Sequence, residues 1–407
     1  MNNLSDTDRR SFWGHVLSQH RGSVGSRAPR FDRLEVHDVN PTSGGDKVRV
    51  VFNPNRPMRT VHQNLAAYLG EYVMPMTRRW ANHATACRVG LSVIDDIALH
   101  RHARCIYVTD ISQAFPSITA QAIAGCITQL EEDNRPGYVG LIVSYLERFC
   151  FEPGGKSLIV GGGASNLLFE LYARLLIDRR IVERLETELN AWVTGLYSPE
   201  EKPRFANFMS CLGSNEVNSP ILFWLRQEET ATRQEVGIKL RYTRYLDDIK
   251  VSCDGPLPFK TWEKIKQIVR DVVREAGLKP NERKTHFYDL PRGPIQVNGI
   301  GLEYGGRLFM PRRYLDDCRR LMRRVEDEVA QLNEQYGDQH SWPNDQAALT
   351  ASHARRVIGR LSHIGHILTE AHRYGTRPNG TDVAFDEVAT KFKRQFGQLA
   401  LKRPGRR

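Results

Sequence analysis

The stretch IKLRYTRYLDDIKVSC, residues 238–253, decides the fold of this chain. Apolar and polar residues alternate on both sides of Asp247 and Asp248, as in two β-strands joined by a tight turn. Aspartate is a poor strand former, so two adjacent aspartates in a predicted hairpin need a reason beyond local structure. Taken alone, a turn-forming role and a role as ligands of a hard metal ion are equally good interpretations.

The same pentapeptide, RYLDD, occurs a second time at residues 313–317. This copy follows Pro311 and precedes apolar residues at helical spacing, so it predicts the first turn of a helix. Asp316 and Asp317 would there complement the positive end of the helix dipole. The sequence therefore predicts a structural role for the second copy and leaves a functional role to the first.

The composition is that of a globular protein with a polyanionic partner. Of 407 residues, 40% are hydrophobic, and 58 Lys and Arg against 47 Asp and Glu give a formal net charge of +11. Such a surplus favours nucleic acid. The seven cysteines form no C-x-x-C pair, the first residues lack a signal peptide's pattern, and no apolar run reaches the roughly 18 to 20 residues of a membrane helix. These features predict a reduced, cytoplasmic protein that does not enter a membrane.

A third carboxylate lies in CIYVTDISQAFPSI, residues 105–118, where a predicted strand ends near Asp110. Two-metal phosphoryl transfer needs carboxylate oxygens around two ions about 3.5 to 4 Å apart. Asp110, Asp247 and Asp248 together would supply such ligands.

Further motifs follow in a fixed order along the chain. A glycine loop enters an apolar helix in GGGASNLLFE, and GLKPNERKT and VNGIGL come after the acidic hairpin, at residues 161–170, 277–285 and 297–302. With DISQAFPSI and YLDD, this series resembles the motifs of reverse transcriptases, in particular the bacterial retron, abortive-infection and other defence-associated enzymes. The resemblance runs from about Lys47 to Ile367.

The resemblance implies an α+β fold with the right-hand polymerase architecture: fingers, a palm with an antiparallel sheet, and a helical thumb. The expected domains are an N-terminal extension, fingers and palm with an insertion at about 183–237, and an Arg-rich helical thumb with a basic tail, at residues 1–45, 46–310 and 311–407.

The resemblance also implies roles for individual residues. The catalytic residues would be Asp110, Asp247 and Asp248, which with Ile111 would hold two Mg²⁺ ions, or Mn²⁺ as an alternative. Substrate binding would involve Lys47, Arg49, Phe115, Gly161, Ser165 and Lys284, and the primer grip would contain Gly299. Phe115 would lie against the sugar and favour dNTPs, and Lys284 would stabilise or protonate the leaving pyrophosphate.

The activity implied is RNA-directed DNA synthesis with dNTPs in a bacterial cytoplasm, on a structured non-coding RNA or another RNA template. An antiphage role, with a second defence protein or a homo-oligomer as partner, follows from the resemblance alone. Val160 and Glu170 depart from the Gln and Asn of retron enzymes, and Asn298 from their Thr. Alternatives are a template-independent or protein-primed deoxynucleotidyl transferase, an RNA-directed RNA polymerase, and a non-enzymatic nucleic-acid-binding scaffold.

Two other signals have plain structural interpretations. HIGH, residues 363–366, spells a nucleotide-binding signature but lies in a helical stretch without a glycine loop, which predicts a packed thumb helix. Asp95 and Asp96 stand where a helix begins and are predicted to be capping or surface charges. The histidines and cysteines show no zinc-ligand spacing.

Overall fold

The structure is a computed structural model. It describes the following residues: 30–39, 46–77, 83–87, 91–132, 135–152, 157–189, 221–226, 235–255, 257, 259–337, 342–374 and 380–401. Within these ranges the chain forms antiparallel sheets and helices, so the predicted α+β class is confirmed. No helix in the described part of the chain combines the length and the apolar character needed to cross a membrane.

The described strands are eleven in number. They are β1 Phe31–Val39, β2 Asp46–Pro54, β3 Cys105–Ser112, β4 Ile221–Arg226, β5 Glu235–Tyr245, β6 Asp248–Cys253, β7 Lys279–Pro280, β8 His286–Asp289, β9 Ile295–Val297, β10 Ile300–Leu302 and β11 Leu308–Phe309. The largest sheet of the described residues has the order β4-β5-β6-β3-β7, with β8 also paired to β3. β1 pairs with β2, and β9, β10 and β11 form a small three-stranded sheet.

The described α-helices are α1 Arg56–Tyr68, α2 Met74–Met76, α3 Val93–Ala98, α4 Ala114–Ser117, α5 Ala120–Glu131, α6 Pro136–Phe149, α7 Ser165–Ala173, α8 Arg179–Arg184, α9 Phe259–Glu275, α10 Arg312–Tyr336, α11 Asn344–Arg373 and α12 Gly380–Leu401. Wider π-helical turns follow α1, α7 and α8, at Leu69–Val73, Arg174–Asp178 and Leu185–Leu189. Short 3₁₀ turns occupy Glu282–Lys284 and Leu290–Arg292.

Local sequence explains several element boundaries. Asn55 caps α1, since its side-chain oxygen accepts a 3.0 Å hydrogen bond from the Met58 amide. Helix α9 ends at Glu275 and is closed by Gly277, whose φ of +73° is the left-handed conformation common just after a helix. Its buried residues recur at helical spacing and cover the sheet, at Trp262, Ile265, Ile268, Val269, Val272 and Val273.

The chain divides into two compact units. The first comprises residues 1–92 and 105–288, and the second residues 93–104 and 289–407. The first unit contains the large sheet, whose apolar side chains pack with those of α1, α5, α6, α7 and α9 in one hydrophobic core. The second contains the β9-β10-β11 sheet, α3 and the helices from α10 onward.

Three features of the structure bear on the expected domain boundaries. The predicted N-terminal extension, 1–45, includes β1, because residues 31–39 pair in register with β2. The predicted insertion, about 183–237, includes β4, which extends the main sheet. The C-terminal part of the second unit starts at Asp289, upstream of the expected thumb boundary at 311, and includes the β9-β10-β11 sheet. Of the expected extension and insertion, residues 1–29, 40–45, 190–220 and 227–234 lie outside the described residues.

Candidate active site

The acidic hairpin forms as the alternation predicts. Tyr245 at the end of β5 lies opposite Asp248 at the start of β6, so Leu246 and Asp247 make a two-residue turn. Leu246 has a φ of +51°, a left-handed conformation that costs a non-glycine residue free energy and needs support from its surroundings. The turn is therefore held in a specific, strained conformation.

The third predicted carboxylate lies beside this turn. Asp110 on β3 is the direct register partner of Asp248 on β6. The Ile111 amide donates a 3.0 Å hydrogen bond to the Asp247 carbonyl oxygen, which ties the turn to the end of β3. The structure thus brings the three predicted aspartates together at one end of the sheet, within the first unit.

Asp110 is buried and has two side-chain partners. The Asn281 amide group donates a 2.9 Å hydrogen bond to Asp110 Oδ2, and Lys284 Nζ lies 3.2 Å from Asp110 Oδ1. The Asn281 backbone amide also donates to the Asp110 carbonyl oxygen at 2.7 Å. Sequence reasoning identified Lys284 and missed Asn281, although both belong to GLKPNERKT. This segment places one cation and one amide donor on the same carboxylate.

The electrostatics of Asp248 reflect its crowded position. Burial raises the pKa of the Asp248 carboxyl to about 6, an effect that the buried Lys250 ammonium opposes. The negative charges of Asp247 and Asp110 raise this pKa further, and Lys284 lowers it. The three carboxylates are therefore close enough to repel one another, and a bound cation would relieve that repulsion.

The donor chemistry of these residues fits a hard divalent cation. In the described residues no group of three or more His, Cys, Asp or Glu side chains is arranged as a ready metal cage. Carboxylate oxygens are nevertheless the ligands that Mg²⁺ prefers, and Asp110, Asp247 and Asp248 present them from two strands and a turn. Lys284 supplies a positive charge at Asp110. The residues that could hold the ion are these three aspartates, with Ile111 buried beside them.

Phe115 is held by a ring stack. It lies in α4, which begins after Gln113 turns the chain with a φ of +49°. The Phe115 ring stacks on Phe169 of α7, with centroids 5.1 Å apart and an angle of 18° between the planes. Phe115 is only partly buried, in the helix that follows β3.

The glycine loop packs against β2. The Phe52 amide donates to the Val160 carbonyl oxygen at 2.9 Å, and Gly161 follows with a φ of +101°. His62 joins this loop to α6, because its Nδ1 accepts from the Ala164 amide at 3.2 Å and its Nε2 donates to the Phe149 carbonyl oxygen at 2.8 Å. This pattern requires a neutral ring, in accord with the burial that lowers the His62 pKa.

The remaining predicted residues are distributed as follows. Ser165 begins α7 and is completely buried. Lys47 and Arg49 lie on β2, opposite Asp38 and Val36 of β1. Gly299, with a φ of +81°, follows Asn298 in the turn between β9 and β10. Gly299 belongs to the second unit, whereas the aspartates belong to the first.

A buried ionic network, which sequence reasoning missed, lies behind the acidic turn. Arg244, the first residue of RYLDD, is completely buried between the carboxylates of Glu170 and Asp178. Burial lowers the pKa of Arg244, but the two carboxylates outweigh this effect and raise it well above its ordinary value. The sequence carried two weak signals of this network. Arg244 directly precedes YLDD, and the acidic residues Glu170 and Asp178 interrupt an apolar helical pattern.

The second RYLDD lies in α10, as predicted, but its charges have other partners than expected. Asp316 and Asp317 fall beyond the first helical turn, which contains no acidic residue. Asp316 Oδ1 accepts from Arg319 at 2.9 Å, and Asp317 pairs with Arg320. The helix-dipole interpretation is thus replaced by ion pairs along the helix.

Two further expectations concern the second unit. Asp96 is completely buried in α3 rather than on the surface, and Asp95 accepts a 2.6 Å hydrogen bond from the Tyr374 hydroxyl. The HIGH tetrapeptide lies within α11, where Ile364 is buried and both histidines are exposed. The packed-helix interpretation of this tetrapeptide is confirmed.

Comparisons with known proteins add little to this geometry. No family model matches the chain, and no curated protein matches it. Among solved structures, the chain is similar to apo telomerase from Candida tropicalis, with a TM-score of 0.39, 10% identity, and coverage of 98% of this chain and 70% of that one. It is also similar to telomerase from Candida albicans in complex with a TWJ fragment of telomeric RNA, with a TM-score of 0.40, 9% identity, and coverage of 95% and 61%. TM-scores below 0.5 do not establish a shared fold, so any proposal about function must rest on the geometry of the site.

Proposed function

We propose that this chain is a reverse-transcriptase-like polymerase that adds deoxynucleotides to a primer on an RNA template. The observation that supports this proposal most strongly is the register of the sheet, in which Asp110 lies opposite Asp248 while Asp247 occupies the adjoining turn. Three carboxylates clustered at one strand end would repel an anionic ligand on their own, so a simple nucleic-acid-binding scaffold gains nothing from them. A dedicated non-coding template and an antiphage role extend the proposal on the basis of the motif resemblance alone.

The residues of the site would divide the chemistry among them. Asp110, Asp247 and Asp248 would hold two divalent cations, which when bound neutralise charge on the reacting phosphates and activate the attacking hydroxyl. Lys284, 3.2 Å from Asp110, has an exposed side chain whose ammonium could move onto an incoming triphosphate. Asn281 would keep the Asp110 carboxylate oriented through its 2.9 Å hydrogen bond. Phe115 would lie against the sugar of the incoming nucleotide.

The test is incorporation of labelled dNTPs into a DNA primer annealed to an RNA template, in the presence of Mg²⁺. We expect synthesis by the parent protein and a loss of about 100-fold or more in Asp247→Asn, the scale of losing one preorganised charge-stabilising group. Asn keeps the shape of the side chain, so the fold should persist. Synthesis by Asp247→Asn at the parental rate would contradict the proposal.

The chain supplies its own matched control in the second RYLDD. Asp316→Asn makes the same chemical change in the same pentapeptide, where the carboxylate pairs with neighbouring arginines of α10. Exposed pairs of this kind contribute at most about 1 kcal/mol. Asp316→Asn should therefore unfold at nearly the parental denaturant concentration and retain synthesis.

A further inference from the structure

The Arg244 guanidinium makes an unusually complete set of hydrogen bonds for a buried side chain. Its Nε and Nη2 donate to Asp178 at 2.8 Å each, and its Nη1 and Nη2 donate to Glu170 at 2.9 and 3.0 Å. Nη1 also donates to the Leu246 carbonyl oxygen at 2.8 Å. One side chain thus connects α7 and the π turn after it to the acidic hairpin.

The charges of this network balance within the core of the first unit. Arg174 provides a second cation, with its Nε 3.4 Å from Glu170 Oε2, so two arginines face two acids. The Tyr242 hydroxyl adds a 2.6 Å hydrogen bond to Asp178. A buried ionic network is seldom more stable than the apolar packing that could replace it, and its best-supported use is to fix one arrangement among several.

The arrangement that this network fixes is the acidic turn. Leu246 has a φ of +51°, and its carbonyl group is the acceptor that Arg244 reaches across the turn. Asp247 and Asp248 follow directly. Relaxation of Leu246 would therefore break a part-buried, charge-assisted hydrogen bond from a completely buried guanidinium, and such bonds are strong.

The same guanidinium also touches the aromatic stack. Its carbon lies 5.7 Å from the centre of the Phe169 ring, on which Phe115 stacks. Glu170, the next residue of α7, holds the guanidinium by two hydrogen bonds. The acidic turn and the Phe115 ring are consequently supported by one helix through one arginine.

We propose that Arg244 is a positioning residue, which holds the Leu246–Asp247 turn so that the carboxylates of Asp247 and Asp248 keep the orientation needed for synthesis. Its effect on synthesis rests on the polymerase function proposed above. Its effect on the turn does not.

The test compares Arg244→Lys with Arg174→Lys. Both changes replace a buried guanidinium of the same network by an ammonium group. Arg174, however, donates to Thr77 and Met74 rather than to the turn. We expect Arg244→Lys to lower kcat by about 10- to 100-fold with KM for dNTP little changed, since small misplacements of reacting groups have costs of this size. Arg174→Lys leaves the hydrogen bond from Arg244 to the Leu246 carbonyl oxygen in place, so it should misplace the turn little and lower kcat by less than about threefold.

Amide hydrogen exchange gives a readout that does not depend on synthesis. Exchange in peptides covering Tyr245–Ile249 should be faster in Arg244→Lys than in Arg174→Lys, while exchange in α7 should rise equally in both. Equal kcat losses in the two variants, or equal exchange at the turn, would show that the network is merely structural. If the parent makes no product, the polymerase proposal fails, and exchange at the turn alone decides the role of Arg244.

Should Arg244→Lys not fold, Glu170→Gln serves in its place. This change keeps the shape of the side chain and leaves the hydrogen bonds between Arg244 and Asp178 in place. It weakens the interaction of Glu170 with Arg244 Nη1, the atom that donates a hydrogen bond to the Leu246 carbonyl oxygen. A lower kcat with faster exchange at the turn supports the proposal. Parental values of both overturn it.

Discussion

Phe115 is the residue at which the choice between deoxynucleotides and ribonucleotides should be made. Its ring is fixed by the stack on Phe169 and lies five residues after Asp110. Replacing Phe115 by Ala should raise NTP incorporation relative to dNTP about tenfold or more, because the ring would no longer exclude a 2′-hydroxyl. Competition between labelled dNTP and NTP on one primer measures this ratio.

A conservative variant separates sugar selection from general damage at Phe115. Phe115→Tyr keeps the ring and its stack on Phe169, so it should retain the parental preference for dNTPs. An unchanged ratio in Phe115→Ala would instead favour an enzyme that selects its substrate by another group, as expected of an RNA-directed RNA polymerase on the same fold.

His62 should make stability depend on pH. Burial lowers its pKa, although its hydrogen bond to Phe149 opposes the effect. The folded state therefore binds fewer protons than the unfolded state, whose histidine has a pKa of about 6.5. The contribution of His62 to the free energy of unfolding is thus present above pH 6.5 and is lost as the pH falls toward the pKa of the folded state.

Urea unfolding at pH 7.5, 6.5 and 5.5 should show a smaller loss of stability in His62→Gln than in the parent. The exposed His286→Gln should follow the parental curve, and a parental curve for His62→Gln would refute the assignment.

Among the elements, the loop before α7 depends on glycine more strongly at Gly161 than at Gly163. A Cβ added at Gly161 would lie 2.8 Å from Val51 Cγ1 and 2.9 Å from the Phe52 carbonyl oxygen, in a backbone with a φ of +101°. Gly161→Ala should therefore cost about 2 to 4 kcal/mol and displace the loop from β2. Gly163→Ala, whose nearest neighbour would be His62 Cβ at 3.7 Å, should be close to neutral. Chemical denaturation of both variants tests the contrast, and equal costs would contradict it.

The elements that sequence alone could predict are those with a strong local signal. Alternation around two aspartates predicted β5, β6 and their turn, and a proline before a helical stripe predicted α10. The position of Asp110 at the end of a buried strand also followed from local pattern, because strand faces alternate with a period of two. Local pattern therefore sufficed to find the acidic hairpin and its third carboxylate.

Contacts between distant segments were beyond such reasoning. Arg244 meets Glu170 and Asp178 only because α7 packs behind the hairpin, and an isolated Arg in a strand reads equally well as a surface charge. Asn281 reaches Asp110 from 171 positions along the chain. The partners of Asp316 were mistaken because arginines one turn onward compete with the helix end for its charge.

At the scale of the whole molecule, the second unit is completed by a segment from the middle of the first. Residues 93–104 leave the first unit before β3 and pack with residues 289–407. The Leu290 amide donates to the Arg104 carbonyl oxygen at 2.8 Å, and the Arg101 guanidinium lies 5.5 Å from the centre of the Tyr374 ring. The chain thus passes from one unit to the other at both ends of this segment.

The Tyr374 hydroxyl offers a test of how much this segment contributes to the second unit. It donates a 2.6 Å hydrogen bond to Asp95 Oδ1 in α3, and bonds to charged acceptors contribute about 1.5 to 3 kcal/mol when buried and less when partly exposed, as here. Tyr374→Phe keeps the ring under Arg101 and should destabilise the second unit by about 1 to 2 kcal/mol. Hydrogen exchange should then accelerate in residues 93–104 and in α11 but not in the sheet that carries Asp110.

Tyr304→Phe, at an exposed position of the same unit, should leave exchange unchanged. Acceleration spread evenly over both units would mean that they unfold as one, and no acceleration would mean that the other contacts of the segment suffice to hold it.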